Sequence, residues 1–427
     1  MTIYLKDASF IDWQTMVFQK VHLAVSPGVN QPVTVIDSIP TEPDAHSGDL
    51  ILDCDGKLVT RSFGCGHHHI YSTLARGMPA PARSPRNFQE ILQFVWWHLD
   101  KNLDLEMIRA SALASALHCA RNGVTFVIDH HASPFAVENS LQTIRDAFDL
   151  VGVSHLLCYE MSDRDGESVT EKALAETEAY LKEGNQGLVG LHASFTVGDT
   201  LLRKAADLAV KYRTGIHVHV AEDRSDQEHC LKTYNQRVIH RFNEMGLLDH
   251  PRTILAHCLH LDREEKGILA ASRAWVAENV ESNLNNNVGL TDYRDYGPRI
   301  MLGTDGMHSD MLRSAKAAFF VGQGTEAIGF PDIYQRFRNI HHYLAANQIR
   351  GDGDNNLVIL DYDSPTEIHG ENFLGHFVFG IDSRHVESVI ANGELIVQNR
   401  ELQTMDEDEI LTFAREMGSA LWRKLQA

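Results

Sequence analysis

The sequence predicts an α/β protein, a (β/α)8 TIM barrel with a small β-sandwich domain built from both chain ends. Three observations lead there. Eight short apolar segments alternate with amphipathic helical patterns through the middle of the chain, the signature of βα units around a parallel sheet. Strand-like segments broken by turn residues gather at the two ends. Histidines and carboxylates recur where the central apolar segments stop.

The terminal parts come first. Residues 1–62 contain MTIYLKDASFID, KVHLAVS, QPVTVIDS and DLILDCDGKLVTRSF, short β patterns with turn residues between them. Asp55-Gly56 is a two-residue turn dipeptide, so a hairpin is expected around it. NLVILDY, HFVFGID and HVESVIANGELIVQNRE form a second β-rich group over 356–400, with Asn392-Gly393 as another hairpin turn. Neither group has a core alone. Residues 1–61 and 350–405 are therefore expected to form one composite β domain, with the barrel over 62–349 and a terminal helix within 406–427.

The central strands are expected at 62–69, 124–130, 154–160, 188–193, 215–221, 253–258, 274–279 and 299–304. Helices fill the gaps. Ser168 and Glu171 have capping-box spacing, and so do Asp262 and Glu265. A helix over 105–121 ends at Asn122-Gly123, and one over 201–213 ends before Gly215. A doubly wound open sheet is the rival arrangement; eight units favour the barrel, whose active site lies at the C-terminal strand ends.

Bulk composition excludes several classes. Net charge is −20, with 38 basic and 58 acidic residues, and no basic segment stands out. Such a surface repels phosphate backbones, so no nucleic-acid partner is expected. No apolar run approaches a membrane span, and MTIYLKDASFIDW lacks a basic region followed by an apolar core. Six scattered cysteines without a CxxC pair suit a reducing compartment. A cytoplasmic protein with a small-molecule substrate is expected, assembled as a homo-oligomer, a dimer or larger. GxSxG, Walker, GxGxxG and HxE…PCxxC motifs are absent.

The 24 histidines carry the signal. Strand one ends Gly66-His67-His68-His69, strand two Asp129-His130-His131, strand four Leu191-His192, strand five His217-Val218-His219, strand six Ala256-His257, and strand eight Thr304-Asp305. Side chains alternate along a strand, so His67 and His69 share a face and His68 points away. His217 shares the face of His219 but lies deeper, which suits a core or supporting role. Imidazoles with a strand-eight carboxylate make an N/O set for Zn²⁺ or Fe²⁺. Such an ion lowers the pKa of bound water toward ~7 and supplies hydroxide. Glu222, three residues after His219, reaches the same mouth only if the strand ends between them; a carboxylate there would shuttle protons. Each motif alone is weak, since a lone HxH or HxxE is more often structural. Their order at successive strand ends is what gives them weight. His130 and His131 suit a substrate or a structural role equally. Arg76 could hold a substrate carbonyl or pair with a carboxylate. Cys65 and Cys258 read as packed thiols.

These motifs (HxH, HVHVAED, AHCLHLD and LGTDGM) resemble the amidohydrolase superfamily, in its branch of deaminases and chlorohydrolases. HHHIYSTLARGM, IDHHASP, CYEMSDRDGE, LHASFTVGD and SNLNNNVG most resemble SsnA-type aminohydrolases associated with selenium metabolism. The resemblance implies His67, His69, His219 and Asp305 as metal ligands and Glu222 as the proton-shuttling acid. It implies that His257 orients water and substrate, with Asp305 assisting, and that His192 contacts substrate. His130 and Arg76 complete the expected substrate-binding set. Two-metal relatives carry a lysine on strand four; its absence here implies one divalent ion, Zn²⁺ first and Fe²⁺ second. The sequence departs from the family at Arg61-Ser62, where Pro-Gly is usual, and at Glu278–Asn283, where HNPxSN is usual. The implied activity is hydrolytic deamination of a purine, pterin or related amino-heterocycle. Hydrolysis of another C–N or C–Cl bond, or non-catalytic metabolite binding, are the alternatives.

Overall fold

The computed structural model describes residues 1–40 and 48–426. Eight strands run through its centre: Phe63–His68, Val124–Asp129, Ser154–Leu156, Val189–Ala193, Ile216–Val220, Ile254–His257, Trp275–Glu278 and Ile300–Leu302. The first three form one parallel sheet and the other five a second. The sheets meet at two seams. At one, His68 bridges to Asp305, and the amides of Thr304 and Asp305 donate to the carbonyl of His67. At the other, Leu157 bridges to Gly187 and Met161 to Leu191. This is an α/β fold of the TIM-barrel type. Every residue of Val189–Ala193, Ile216–Val220 and Ile254–His257 is buried, as expected of parallel strands covered by helices.

Close backbone contact at the first seam needs glycine. A Cβ on Gly66 would lie 2.8 Å from Met301 Cγ, and one on Gly303 would run into Asn279 Oδ1 and sit 2.9 Å from His67 Cβ. These two positions let strands one and eight approach, which places His67 beside Asp305.

The helix Leu105–Arg121 shows how sequence sets position. Asp104 accepts from the Met107 amide at its start, and Gly123 just beyond its end takes φ +77. Its buried face is rich in alanine and serine, and two of its serines reach the end of strand one. Ser111 donates to the carbonyl of Ile70, and Ser115 meets His68 Nε2 at 3.0 Å. The capping box of Asp262 and Glu265 opens Arg263–Ala271 as expected. The box at Ser168 does not form: Gly166, at φ +92, admits the chain one residue before Glu167–Lys182, so Ser168 is already inside the helix.

Strands from both chain ends do assemble together, in one nine-stranded sheet. Leu357–Leu360 pairs antiparallel with Leu58–Arg61, joining the halves. Asn392-Gly393 makes the expected hairpin, with φ of 49 and 75. The Asp55-Gly56 hairpin is not found. Leu50–Asp53 and Leu58–Arg61 both pair in parallel with Ile3–Ile11, end to end along it, where a bulge between Leu5 and Ala8 separates them. HFVFGID is not a strand either: Phe373–Phe379 is helical, because Phe373 and Phe377, one turn apart, both pack on Tyr334. The last helix, Glu407–Gln426, lies against Leu105–Arg121, and Trp422 Nε1 donates to the carbonyl of Leu74. Among the described residues no helix is long and apolar enough to cross a membrane.

Candidate active site

The strand ends bring His67, His69, His219 and Asp305 together, with their ligand atoms within 4.8 Å of one another. Asp305 Oδ1 lies 3.0 Å from His69 Nε2 and 3.7 Å from His67 Nε2. The ring orientations are fixed from behind. His69 Nδ1 donates to the carbonyl of His130 at 2.6 Å, and His219 Nδ1 to that of His192 at 2.9 Å. A carbonyl only accepts, so each neutral ring carries its proton on Nδ1 and turns a bare Nε2 inward. Those two Nε2 atoms face each other at 3.1 Å. Two lone pairs at that distance need a positive charge between them. A proton can serve: burial lowers the His69 pKa, but the hydrogen bond and charge of Asp305 reverse this and raise it to about 9. A divalent cation serves all four groups at once. His67 Nε2, buried and without a hydrogen-bond partner among the described residues, points to the same need. Burial holds His67 down at about 3 and His219 well below the ordinary histidine value, so both are neutral and competent as ligands. The donor set fits a divalent ion of the Zn²⁺ type.

Beside this cluster lie Glu222 and His257. Strand five ends at Val220, and Ala221 turns with φ +44, which swings Glu222 back into the mouth. His257, Cys258 and Asp305 also have left-handed backbones, at φ +69, +56 and +53. Non-glycine residues in that region carry strain of about 1–3 kcal/mol each, and such strain collects at functional sites. His257 Nδ1 meets Asn283 Oδ1 at 2.7 Å, and its Nε2 stands 3.6 Å from both Glu222 Oε2 and Asp305 Oδ2. Burial pushes the Glu222 carboxyl up to about 7, against the opposing pull of His257. Asn286 Nδ2 reaches Glu222 Oε1 at 3.4 Å.

The cavity above these groups encloses about 540 Å³, its open mouth included. His69, His219, Glu222, Asp305 and His192 line it from the strand ends. Phe88, Trp96 and Trp97 close it from a helical segment that contains a π-helical turn, Leu92–Trp96. Glu160 and Arg164 form a further wall. Arg164 Nε donates to Asp165 at 2.8 Å, the guanidinium also pairs with Asp100, and Nη1 lies 3.8 Å from Glu160 Oε1. Trp97 stacks on it, 5.0 Å from ring centroid to Cζ.

Two expected substrate contacts are not in the cavity wall. Arg76 is on the surface, outside the cavity lining. His130 is fully buried, with Nε2 against the carbonyls of Leu191 and His217 and Nδ1 3.2 Å from Glu160, so it supports Glu160 from beneath. His68 points outward as the alternation requires, to Asp305 O at 2.8 Å and Ser115. His131 meets Ser133 Oγ. Sequence reasoning missed Glu160, Arg164 and the two tryptophans. The double Trp in FVWWHLD was the one available signal. Asn283, which holds His257, sits in the segment where the family motif is altered.

Comparison with known proteins gives the family and the fold. Residues 59–332 match the model of the amidohydrolase family, and the chain belongs to that family. A 5-methylthioadenosine/S-adenosylhomocysteine deaminase of Syntrophomonas wolfei is 26% identical, over 87% of this chain and 89% of that protein. A 5'-deoxyadenosine deaminase of Methanopyrus kandleri is 27% identical, over 83% and 84%. Among solved structures, an adenosine deaminase from Xanthomonas campestris with bound zinc superimposes with a TM-score of 0.81, at 18% identity over 98% of each chain, which is a likeness of fold.

Proposed function

We propose that this protein is a metal-dependent aminohydrolase, a hydrolase of C–N bonds that deaminates a purine, pterin or related amino-heterocycle. One observation carries the reading: two bare imidazole nitrogens, a third orphaned one and a carboxylate converge beside Glu222 and His257 at a single mouth. His67, His69, His219 and Asp305 would hold one divalent ion, zinc first. When bound, that ion supplies an activated water at neutral pH. Asp305 and His257 stand where they can take the proton of the attacking water. Glu222, with its raised pKa, gives its proton to a ring nitrogen next to the amino-bearing carbon. It is recharged with the proton that Asp305 and His257 took from the water, and passes that one to departing ammonia; the remaining hydroxyl proton returns to Glu222 as the carbonyl forms. His192 and the aromatic wall of Phe88, Trp96 and Trp97 hold a flat heterocycle. The deaminase names of the relatives support this substrate class. The SsnA-type motifs support assigning the chain to that subgroup of aminohydrolases.

We further propose the domains as a complete (β/α)8 barrel over 62–349, a sandwich folded from 1–61 and 350–405, whose strands share the core of Ile3, Leu5, Leu23 and Leu357, and the helix of 406–427. Residues 41–47 and 427 of these spans lie outside the described residues. The protein is proposed to act as a homo-oligomer on a small-molecule substrate.

The test is elemental analysis of purified protein followed by an ammonia-release screen over purines, nucleosides, pyrimidines and pterins. One zinc per chain with release from at least one amino-heterocycle is expected. Stoichiometric metal with no product across the screen contradicts the deaminase reading.

A further inference from the structure

We propose that His217 is a positioning residue for the metal site, fixing which nitrogen of His67 is left bare through a buried chain that ends on the Cys158 thiol. The proposal rests on the metal reading above.

The three histidine ligands are not held alike. His69 and His219 each face a backbone carbonyl, which decides their proton positions locally. His67 Nδ1 faces another imidazole instead, 2.9 Å from His217 Nε2. An imidazole nitrogen can donate or accept, so this contact alone decides nothing. The decision passes further back. His217 Nδ1 lies 3.7 Å from Cys158 Sγ, and that sulfur lies 3.3 Å from the carbonyl oxygen of Asp129.

The far end sets the direction. The Asp129 carbonyl only accepts, so the thiol donates to it. The sulfur then accepts from His217 Nδ1–H, which leaves His217 Nε2 bare. That nitrogen accepts from His67 Nδ1–H, and His67 Nε2 is left bare toward Asp305. Each proton is used once. In the reverse arrangement the thiol donates to His217 Nδ1 and His217 Nε2 donates to His67. His67 then carries its proton on Nε2, toward Asp305, and cannot ligate. His67, His217, Cys158 and Asp129 are all fully buried, so water does not compete for any link. Partners of this kind behind a ligating histidine typically change metal affinity about 10–100-fold when removed.

The direct test is ¹⁵N spectroscopy of the zinc-loaded, [¹⁵N]histidine-labelled protein. The His217 signals are assigned by their loss in His217→Gln. His217 is expected to carry its proton on Nδ1; a proton on Nε2 overturns the proposal. The second test measures zinc affinity by chelator competition. His217→Leu should weaken binding about 10–100-fold. His217→Gln, whose Oε1 can accept from His67, should restore most of it. Equal weakening in both variants, or none in either, overturns the proposal. His219→Ala separates the two readings. Zinc retained in that variant sinks the metal site itself, whereas zinc lost there but held normally by His217→Leu sinks only the role of His217.

Discussion

The two walls of the cavity are held by different kinds of bond. At the strand ends, His69 and His219 are anchored by main-chain carbonyls, and their positions follow from strand register. In the adjoining wall, Arg164 is anchored by the carboxylates of Asp100, Asp165 and Glu160 and by the face of Trp97. Glu160 and Asp165 are its neighbours in sequence, but Asp100 and Trp97 come from a separate helix, Trp97–Lys101, and only tertiary packing brings that helix to it. The wall proposed to do chemistry is therefore part of the barrel framework, and the wall proposed to recognise substrate is fastened onto it.

The hardest way to break the first wall is His219→Ala. It removes one of the two facing Nε2 atoms and leaves the other without its counterpart. Loss of bound metal is expected, with a fall in kcat/KM of more than about 10³-fold, the scale of several kcal/mol of lost stabilisation. Metal content by mass spectrometry, read beside the ammonia assay, decides it; full metal retention would contradict the ligand set. Glu222→Gln spares the metal and removes the acid. Because Gln keeps the shape and the contact to Asn286, kcat should fall about 10²–10⁴-fold with metal content intact. An unchanged kcat would remove Glu222 from the proton pathway.

The difference between the walls also explains what could be read from sequence. Side chains alternate along a strand, so the split of GHHHIY into His67 and His69 inward and His68 outward needed no coordinates. The eight central strands were legible for the same reason, each a short apolar run between helical patterns. Reading failed where a side chain's role depends on a distant partner. Arg76 and Arg164 look alike in sequence, and only burial among three carboxylates separates the cavity residue from the surface one. His130 resembles the candidate ligands, but its Nε2 faces two carbonyls and its Nδ1 stands 3.2 Å from Glu160. The Asp55-Gly56 turn is local, whereas the strands that flank it are claimed by Ile3–Ile11 instead of by each other.

The second wall can be loosened without touching the first. Arg164→Met leaves Asp100, with a side chain 1% exposed, and Asp165, 5% exposed, without their guanidinium. Burial already pushes the Asp100 carboxyl up to about 7 against the pull of Arg164, so losing the cation strands a buried acid. Removing one partner of a buried ion pair typically costs 3–5 kcal/mol. Denaturant unfolding should show a loss of about that size, with metal content retained and KM raised. A variant as stable as the parent would mean that this wall does not depend on its arginine.

The smallest expected effect is the sharpest test of the comparison. His68 lies between two candidate ligands in sequence but belongs to neither wall. Its ring bonds outward, to the Asp305 carbonyl, Thr304 and Ser115. His68→Ala should keep the metal, because no ligand atom is removed and both neighbours remain anchored from behind. It should lose about 1–3 kcal/mol of stability, since it opens a gap beneath Leu105–Arg121 and leaves buried polar partners unpaired. Metal content and denaturant unfolding, measured on the same preparations of His67→Ala, His68→Ala and His69→Ala, give the answer. Metal should be lost in the two outer variants and kept in the middle one. If it is lost in all three, anchoring of His67 by His217 and of His69 by the His130 carbonyl is too weak to hold the neighbours alone, and the rigidity assigned to the first wall comes from the packing of the helix instead.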